Sequence, residues 1–189
     1  MNACLKYIPN AITIVRIFLV IPIIGTIWKD DYITAFFLIL IAGVSDGVDG
    51  FLARYFHWQT ATGAVLDPLA DKLLLVSLFI VFGFKGLLPQ WLVLLVISRD
   101  VIILLGAIAY HFITHKLEMR PLMLSKVSTA LQIVLVILMA IHLAYANIPP
   151  WVFDVMIMAV ASFALISGIS YVILWSRYTV QIKSESRAK

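Results

Sequence analysis

The sequence predicts an all-α, polytopic membrane protein of six transmembrane helices. Three observations predict it. The chain of 189 residues is 63% hydrophobic and only 13% charged, about half the charge of an ordinary soluble domain. Its mean hydropathy is +1.05. Apolar runs long enough to cross a bilayer core, which takes roughly 20 residues, recur near 11–28, 32–53, 64–84, 88–113, 124–146 and 151–176. Short polar or turn-forming strings separate them: "WKDD", "RYFHWQT", "FKGLLPQ", "THKLEMRP" and "NIPP".

Each run has its own reading. The first follows Lys6 and resembles a secretory signal in length, but it has no Ala-x-Ala cleavage site and carries Arg16 inside it, so a retained helix is expected. The second ends on Asp46 and Asp49, and the third opens on Asp67 and Asp71. Pro68 either starts the third helix with Asp67 as its N-cap or kinks a helix already running. The fourth run carries Arg99 beside Asp100, the fifth begins near Lys126, and the sixth follows two prolines. From Arg177 the chain is polar and is expected to fray. A single transmembrane domain over residues 1–189 is expected, with little room for a soluble one. Cys4 is the only cysteine, so no internal disulfide forms. His111, His115 and His142 lack ligand spacing and read as interfacial or packing residues.

Six spans place Lys6, Arg54, Lys116, Arg120, Arg177, Lys183, Arg187 and Lys189 on one side and only Lys29 and Lys85 on the other. The positive-inside rule then puts both termini in the cytoplasm, with the aspartates just within the membrane near that face.

Those aspartates are the informative feature. One Asp at the centre of a spanning helix costs roughly 2.5–3.5 kcal/mol on insertion scales, so four cost on the order of 10 kcal/mol without compensation. Asp46 and Asp49 are three apart, Asp67 and Asp71 four apart, and on a helix each spacing puts both carboxylates on one face. Two antiparallel helices would bring the pairs together. An all-oxygen set of this kind suits hard divalent ions, magnesium or manganese, and two ions sharing carboxylates are a common device for phosphoryl displacement. Gly50, Ala53 and Gly63 leave room for a close ligand, and the planar fork of Arg54 suits a phosphate. A metal-bound diphosphate is the expected occupant. Competing readings are structural pairing with Lys72 or Arg54, a proton or cation pathway in an ion or solute transporter, and a scaffold without activity. Ser45 reads as a small interface residue.

The pattern Asp46-x-x-Asp49-Gly50-x-x-Ala53-Arg54, followed by Gly63, Asp67 and Asp71, resembles the signature of the CDP-alcohol phosphatidyltransferases at all eight of its positions. The resemblance implies a six-helix membrane fold, usually a homodimer, that displaces CMP from a CDP-linked lipid such as CDP-diacylglycerol. It implies that Asp46, Asp49 and Asp67 bind metal, and that Asp71 completes the second metal site and takes the acceptor proton. Gly50, Ala53, Arg54 and Gly63 would line the nucleotide pocket. Pro9, Asn10 and Thr13 match the family's Pro-Asn-x-x-Thr element and would help hold the cytidine side. No nucleic-acid partner is expected.

The strings "GAVLDPLADKLL", "ISRD" and "LSKVSTALQ" resemble the subgroup that makes phosphatidylglycerophosphate or cardiolipin. Both acceptors, glycerol 3-phosphate and phosphatidylglycerol, present a phosphate beside a hydroxyl, which calls for cations; Arg99 and Lys126 are the candidates. An internal Arg99 pair with Asp100 or Asp71 is the alternative for Arg99, and snorkelling to the surface is the alternative for Lys126. Asp100, where phosphatidylglycerophosphate synthases generally have Glu, and the string "SKVSTALQ" tilt the expectation towards phosphatidylglycerol, with glycerol 3-phosphate close behind.

Overall fold

The computed structural model describes residues 8–56, 63–114 and 123–187. These residues form six α-helices: α1 (Ile8–Trp28), α2 (Tyr32–Tyr55), α3 (Gly63–Phe84), α4 (Gln90–Thr114), α5 (Met123–Ala144) and α6 (Pro150–Arg187). Their order and bounds follow the six apolar runs, with one correction. α6 continues through the polar segment from Arg177 to Arg187, where fraying was expected. That segment contains no Gly or Pro and includes Gln, Lys, Glu and Arg, so extending an established helix through it costs little.

Four of the six helices, α1, α2, α5 and α6, contain stretches long and apolar enough to cross a membrane. The other two helices also carry embedded charges, Asp67, Asp71 and Lys72 in α3 and Arg99 and Asp100 in α4. The helices divide between two compact units. One consists of α1, α2, α3 and the segment Val136–Ile148; the other consists of α4, the first half of α5 and α6.

In the first unit α1 packs against both α2 and α3. Its buried residues are Thr13, Arg16, Val20, Ile23 and Ile27, spaced alternately three and four apart, which is the spacing of one continuous stripe on a helix. On α2 the matching stripe is Ala35, Ile39, Ala42 and Asp49, and on α3 it includes Ala70, Leu75, Leu78, Phe79 and Phe82. The three alanines let the backbones approach closely, as small residues do between membrane helices. Each stripe is apolar at one end and polar at the other. The change comes after Val20 towards Arg16 in α1, after Ala42 towards Asp46 in α2, and before Leu75 at Asp71 in α3. Because neighbouring helices run antiparallel, the polar ends coincide. The opposite faces are apolar too: Phe18, Ile21 and Phe51 are 65%, 70% and 61% exposed. Helices that are hydrophobic all round fit a lipid surrounding.

The apolar end is closed by two helix caps of the same type. At the end of α1, Asp31 N–H donates to the Thr26 carbonyl at 3.0 Å and Asp30 N–H to that of Ile27 at 3.1 Å. At the end of α3, Leu87 N–H donates to Phe82 at 2.8 Å and Gly86 N–H to Gly83 at 3.1 Å. Both are Schellman motifs, with the left-handed position taken by Gly86 at φ 71° and, less usually, by Asp30 at φ 61°. The Asp30 carboxylate accepts from Lys85 Nζ at 2.6 Å and from the Tyr32 hydroxyl at 2.5 Å, tying one cap to the other. Asp31 then caps α2, its side chain accepting from Thr34 N–H at 3.2 Å. His142 caps the turn before α6, its Nδ1 accepting from Ile148 N–H at 3.0 Å. The His111 side chain and His115 lie outside the described residues.

In the second unit α4 packs against α6 through Leu92, Val93 and Val96 on one side and Val160, Ala161 and Ala164 on the other. α6 opens with Pro150 at its first position, where proline's missing N–H costs nothing.

The Lys85 hydrogen bond holds the Asp30 carboxyl below its ordinary value of 3.8, with Tyr32 adding to the effect. A lowered carboxyl stabilises the fold above its unfolded value and loses that contribution as pH falls through the folded one. Lys85→Met therefore lowers the thermal midpoint in detergent at neutral pH, and its difference from the wild type closes as the Asp30 carboxyl becomes protonated on acidification. Asp30→Ala is more destabilising than Asp30→Gly, because both lose the pair but only Ala retains the left-handed strain. Equal midpoints for the two variants would contradict this account of the cap.

Candidate active site around a buried arginine

At the polar end of the first unit, α1, α2 and α3 meet through one side chain. Arg16 is 1% exposed, and its guanidinium reaches three aspartates: Nη1 donates to Asp46 and to Asp71, each at 2.7 Å, and Nη2 donates to Asp49 at 2.6 Å. The oxygens of Asp46 and Asp71 share one nitrogen and so lie within twice that bond length of each other. Thr13, one turn before Arg16 and fully buried, reaches the fourth aspartate, its hydroxyl donating to Asp67 at 2.7 Å, with a longer approach of 3.3 Å to Asp49. A hydroxyl has one proton, so the shorter contact is the bond. The four aspartates are therefore gathered onto one face of α1.

Local structure explains the gathering. Thr13 and Arg16 share a face of α1 by their spacing of three, as do Asp46 and Asp49 on α2 and, by four, Asp67 and Asp71 on α3. α3 begins at Gly63 and passes through Pro68, so the proline lies within a running helix and Asp67 does not cap it. Proline cannot donate to the carbonyl four residues back, at Ala64, which loosens the first turn of α3, where Asp67 sits.

The cluster has a floor and a rim. Asp49 is 3% exposed and lies with Arg16 at the floor, whereas the side chains of Asp46 and Asp71 are 45% and 49% exposed at the rim. A buried guanidinium is tolerable only when its hydrogens are matched by carboxylates. Arg16 itself brings one positive charge to four carboxylates, whose charge when fully ionised exceeds its own by three. Arg16 Nε finds no hydrogen-bond partner among the described residues. By donor chemistry, carboxylate oxygens with excess negative charge fit hard divalent cations. By position they are turned towards the guanidinium and Thr13, and among the described residues no three acidic, histidine or cysteine side chains form a ready shell for an ion.

Arg16 was not among the residues singled out for the site from sequence. The signal was available: a cation within an apolar run, three residues after Thr13, opposite four acids that need compensation. Thr13, expected on the nucleotide side, donates its hydroxyl to Asp67. Asn10 and Gly50 are half-buried on α1 and α2. Ala53 and Arg54 fall in the last turn of α2 and Gly63 opens α3, with their side-chain surroundings outside the described residues.

In the second unit, Arg99 is the pin between helices. It is 4% exposed and donates to Asp100 at 2.6 Å on its own helix, to Ser125 Oγ on α5 at 2.6 Å and to Ser167 Oγ on α6 at 2.8 Å. Of the two pairings weighed for Arg99, the bond to Asp100 is formed. Ser128 and Gln132 continue the buried polar stripe of α5 from Ser125, at spacings of three and four. Lys126, next to Ser125, is exposed.

A profile of the CDP-alcohol phosphatidyltransferases matches residues 6–175, nearly the whole chain. A rat protein named cardiolipin synthase (CMP-forming) is 34% identical over 146 residues, covering 68% of this chain and 48% of the relative. A Drosophila melanogaster probable cardiolipin synthase (CMP-forming) is 36% identical over 143 residues, covering 67% and 44%. A chloroplastic CDP-diacylglycerol--glycerol-3-phosphate 3-phosphatidyltransferase of rice is 36% identical over 133 residues, covering 61% and 40%. The chain thus spans about half or less of the length of these relatives. It belongs to the CDP-alcohol phosphatidyltransferase family.

The geometry of Arg99 predicts a large structural effect. Arg99→Ala leaves Asp100 buried without its guanidinium and destabilises the protein by about 3–5 kcal/mol. Arg99→Lys recovers only part of that, since one ammonium cannot serve Asp100, Ser125 and Ser167 as a fork does. Thermal unfolding in detergent micelles measures both; an Arg99→Ala midpoint equal to that of the wild type would contradict the pin.

Proposed function

We propose that this CDP-alcohol phosphatidyltransferase is an integral membrane enzyme that transfers the phosphatidyl group of CDP-diacylglycerol to a glycerol-type acceptor and releases CMP. The observation that carries the proposal is the convergence of Asp46, Asp49, Asp67 and Asp71, the residues of the family signature, at one end of α1, α2 and α3. Two magnesium or manganese ions, held by these four carboxylates, would neutralise the diphosphate and make CMP a better leaving group. The chain's own groups supply the rest. Asp71, open at the rim, takes the proton of the acceptor hydroxyl as that oxygen forms its bond to the phosphatidyl phosphorus and the diphosphate P–O bond breaks towards CMP. Asn10, Gly50, Ala53, Arg54 and Gly63 line the nucleotide side. Thr13 contributes there by orienting Asp67 and Asp49.

Phosphatidylglycerol is the favoured acceptor, which makes the product cardiolipin. This reading is supported by the relatives named cardiolipin synthase. Glycerol 3-phosphate is the second reading, supported by the rice relative. Arg99 and Lys126 are the proposed acceptor-side cations, Arg99 by shaping the polar interior of its unit and Lys126 by its exposed charge. Six spanning helices with both termini and the acidic site towards the cytoplasm are supported by the lysine and arginine distribution. The family resemblance supports a homodimer.

Purified protein supplied with CDP-diacylglycerol, magnesium or manganese, and either phosphatidylglycerol or glycerol 3-phosphate is expected to release CMP with the first acceptor in preference to the second. Mass analysis of the lipid product identifies the acceptor. Asp71→Asn is expected to lower turnover by about 10²–10⁴-fold, the usual range for losing a general base. Asp67→Asn lowers it comparably while the protein remains folded. Full turnover in both variants, or product with neither acceptor, would overturn the proposal.

A further inference from the structure

We infer that Arg16 is a resident counter-cation of the acidic cluster that competes with divalent ions for the same carboxylate oxygens. The inference rests on the proposed metal site and adds to it an antagonism that the site's composition alone does not require.

Three observations carry it. Arg16 occupies the shared centre of the cluster, where its two terminal nitrogens hold one oxygen each of Asp46, Asp49 and Asp71 at 2.6–2.7 Å. An ion bound to those oxygens sits at about 2.0–2.1 Å from them, a position that overlaps the guanidinium hydrogens. The described acidic side chains do not form a ready ion shell in this arrangement, because each is directed at Arg16 or Thr13. Finally, Arg16 is buried at the floor of the cluster, in the stripe that continues into Val20, Ile23 and Ile27. It cannot leave for solvent, so an ion that takes any of the three oxygens it holds must displace it from that carboxylate within the site.

Two consequences follow. Without metal, Arg16 keeps three like charges together, beside the fourth held by Thr13, and preserves the packing of α1 on α2 and α3. With metal, it keeps the ions from being held too tightly by lowering the net negative charge of the cage. Arg16 is thus a positioning residue, and its role has a sign that an ordinary structural ion pair lacks. If Arg16 merely braced the helices, removing it would disorder the carboxylates and weaken ion binding. If it competes, removing it strengthens ion binding while weakening the metal-free fold.

The test is direct binding of Mn2+ to the full-length protein in detergent, followed by electron paramagnetic resonance of the free ion, together with thermal unfolding with and without Mn2+. Arg16→Gln is expected to bind Mn2+ about tenfold more tightly than the wild type, as for the loss of one charged competitor for a shared oxygen. Its metal-free midpoint falls, and the rise on adding Mn2+ exceeds that of the wild type. Arg16→Lys, which keeps the charge but not the fork, lies between the two and provides the same comparison if the glutamine variant does not fold. Equal or weaker Mn2+ binding in the variant that folds would overturn the competition while leaving the metal site standing. Absence of Mn2+ binding to the wild type would overturn the metal site and the competition together.

Discussion

A single guanidinium holding three of four clustered carboxylates in apolar surroundings, with Thr13 holding the fourth, is the interaction on which the rest of the first unit depends. Without it, α2 and α3 would each present a pair of like charges to the other. Desolvation and repulsion would then both oppose the packing that the apolar halves of the same helices favour. Arg16 and Thr13 convert that opposition into contact, because α2 and α3 both bond to these two side chains, one turn apart on α1. Packing and chemistry therefore use the same stripe. Ile27, Ile23 and Val20 hold the helices together at one end, and Arg16 and Thr13 assemble the acidic groups at the other.

The two ends differ in how they can respond. The apolar end is closed by paired Schellman caps, joined through Lys85 and Asp30, so its geometry is fixed by backbone hydrogen bonds as well as by side chains. The polar end is tied by the side-chain bonds of Arg16 and Thr13 and opens at Asp46 and Asp71, nearly half of whose side-chain surface is exposed. A ligand can rearrange carboxylates there without disturbing the backbone ladder. The second unit follows a related design on a smaller scale: Arg99 links α4 to serines of α5 and α6, again with Nε left without a partner among the described residues. In both units one buried arginine does what apolar packing between lipid-facing helices cannot, since lipid and leucine are equally apolar and offer no preference for one helix orientation.

Much of this was legible in the residues. The six helices follow from runs of about bilayer length, and the acidic pairs from spacings of three and four that need no knowledge of the fold. Pairing of Arg99 with Asp100 was among the readings weighed. What sequence did not disclose is instructive. Arg16 stood out only as a charge that interrupts a hydropathic run, because hydropathy counts a residue's cost and not its partners 30 and 55 positions away. The hydrogen bond from Thr13 to Asp67 is likewise invisible in a motif, because its partner lies 54 positions away. The continuation of α6 past Arg177 was missed for a simpler reason: polarity indicates contact with water, and says little about whether an exposed helix stops. Similarly, Asp30 in a left-handed cap is atypical enough that composition favours glycine there.

The central claim is that Arg16 and the aspartates of α2 and α3 form one energetic unit, and a double-mutant cycle on Arg16→Met and Asp49→Leu tests it most directly. Unfolding free energies of the wild type, both single variants and the double variant in one detergent yield the coupling. The account predicts that the double variant is less destabilised than the sum of the singles by about 1.5–3 kcal/mol, because each single change strands a buried charge that the double change removes. Strictly additive losses would contradict it.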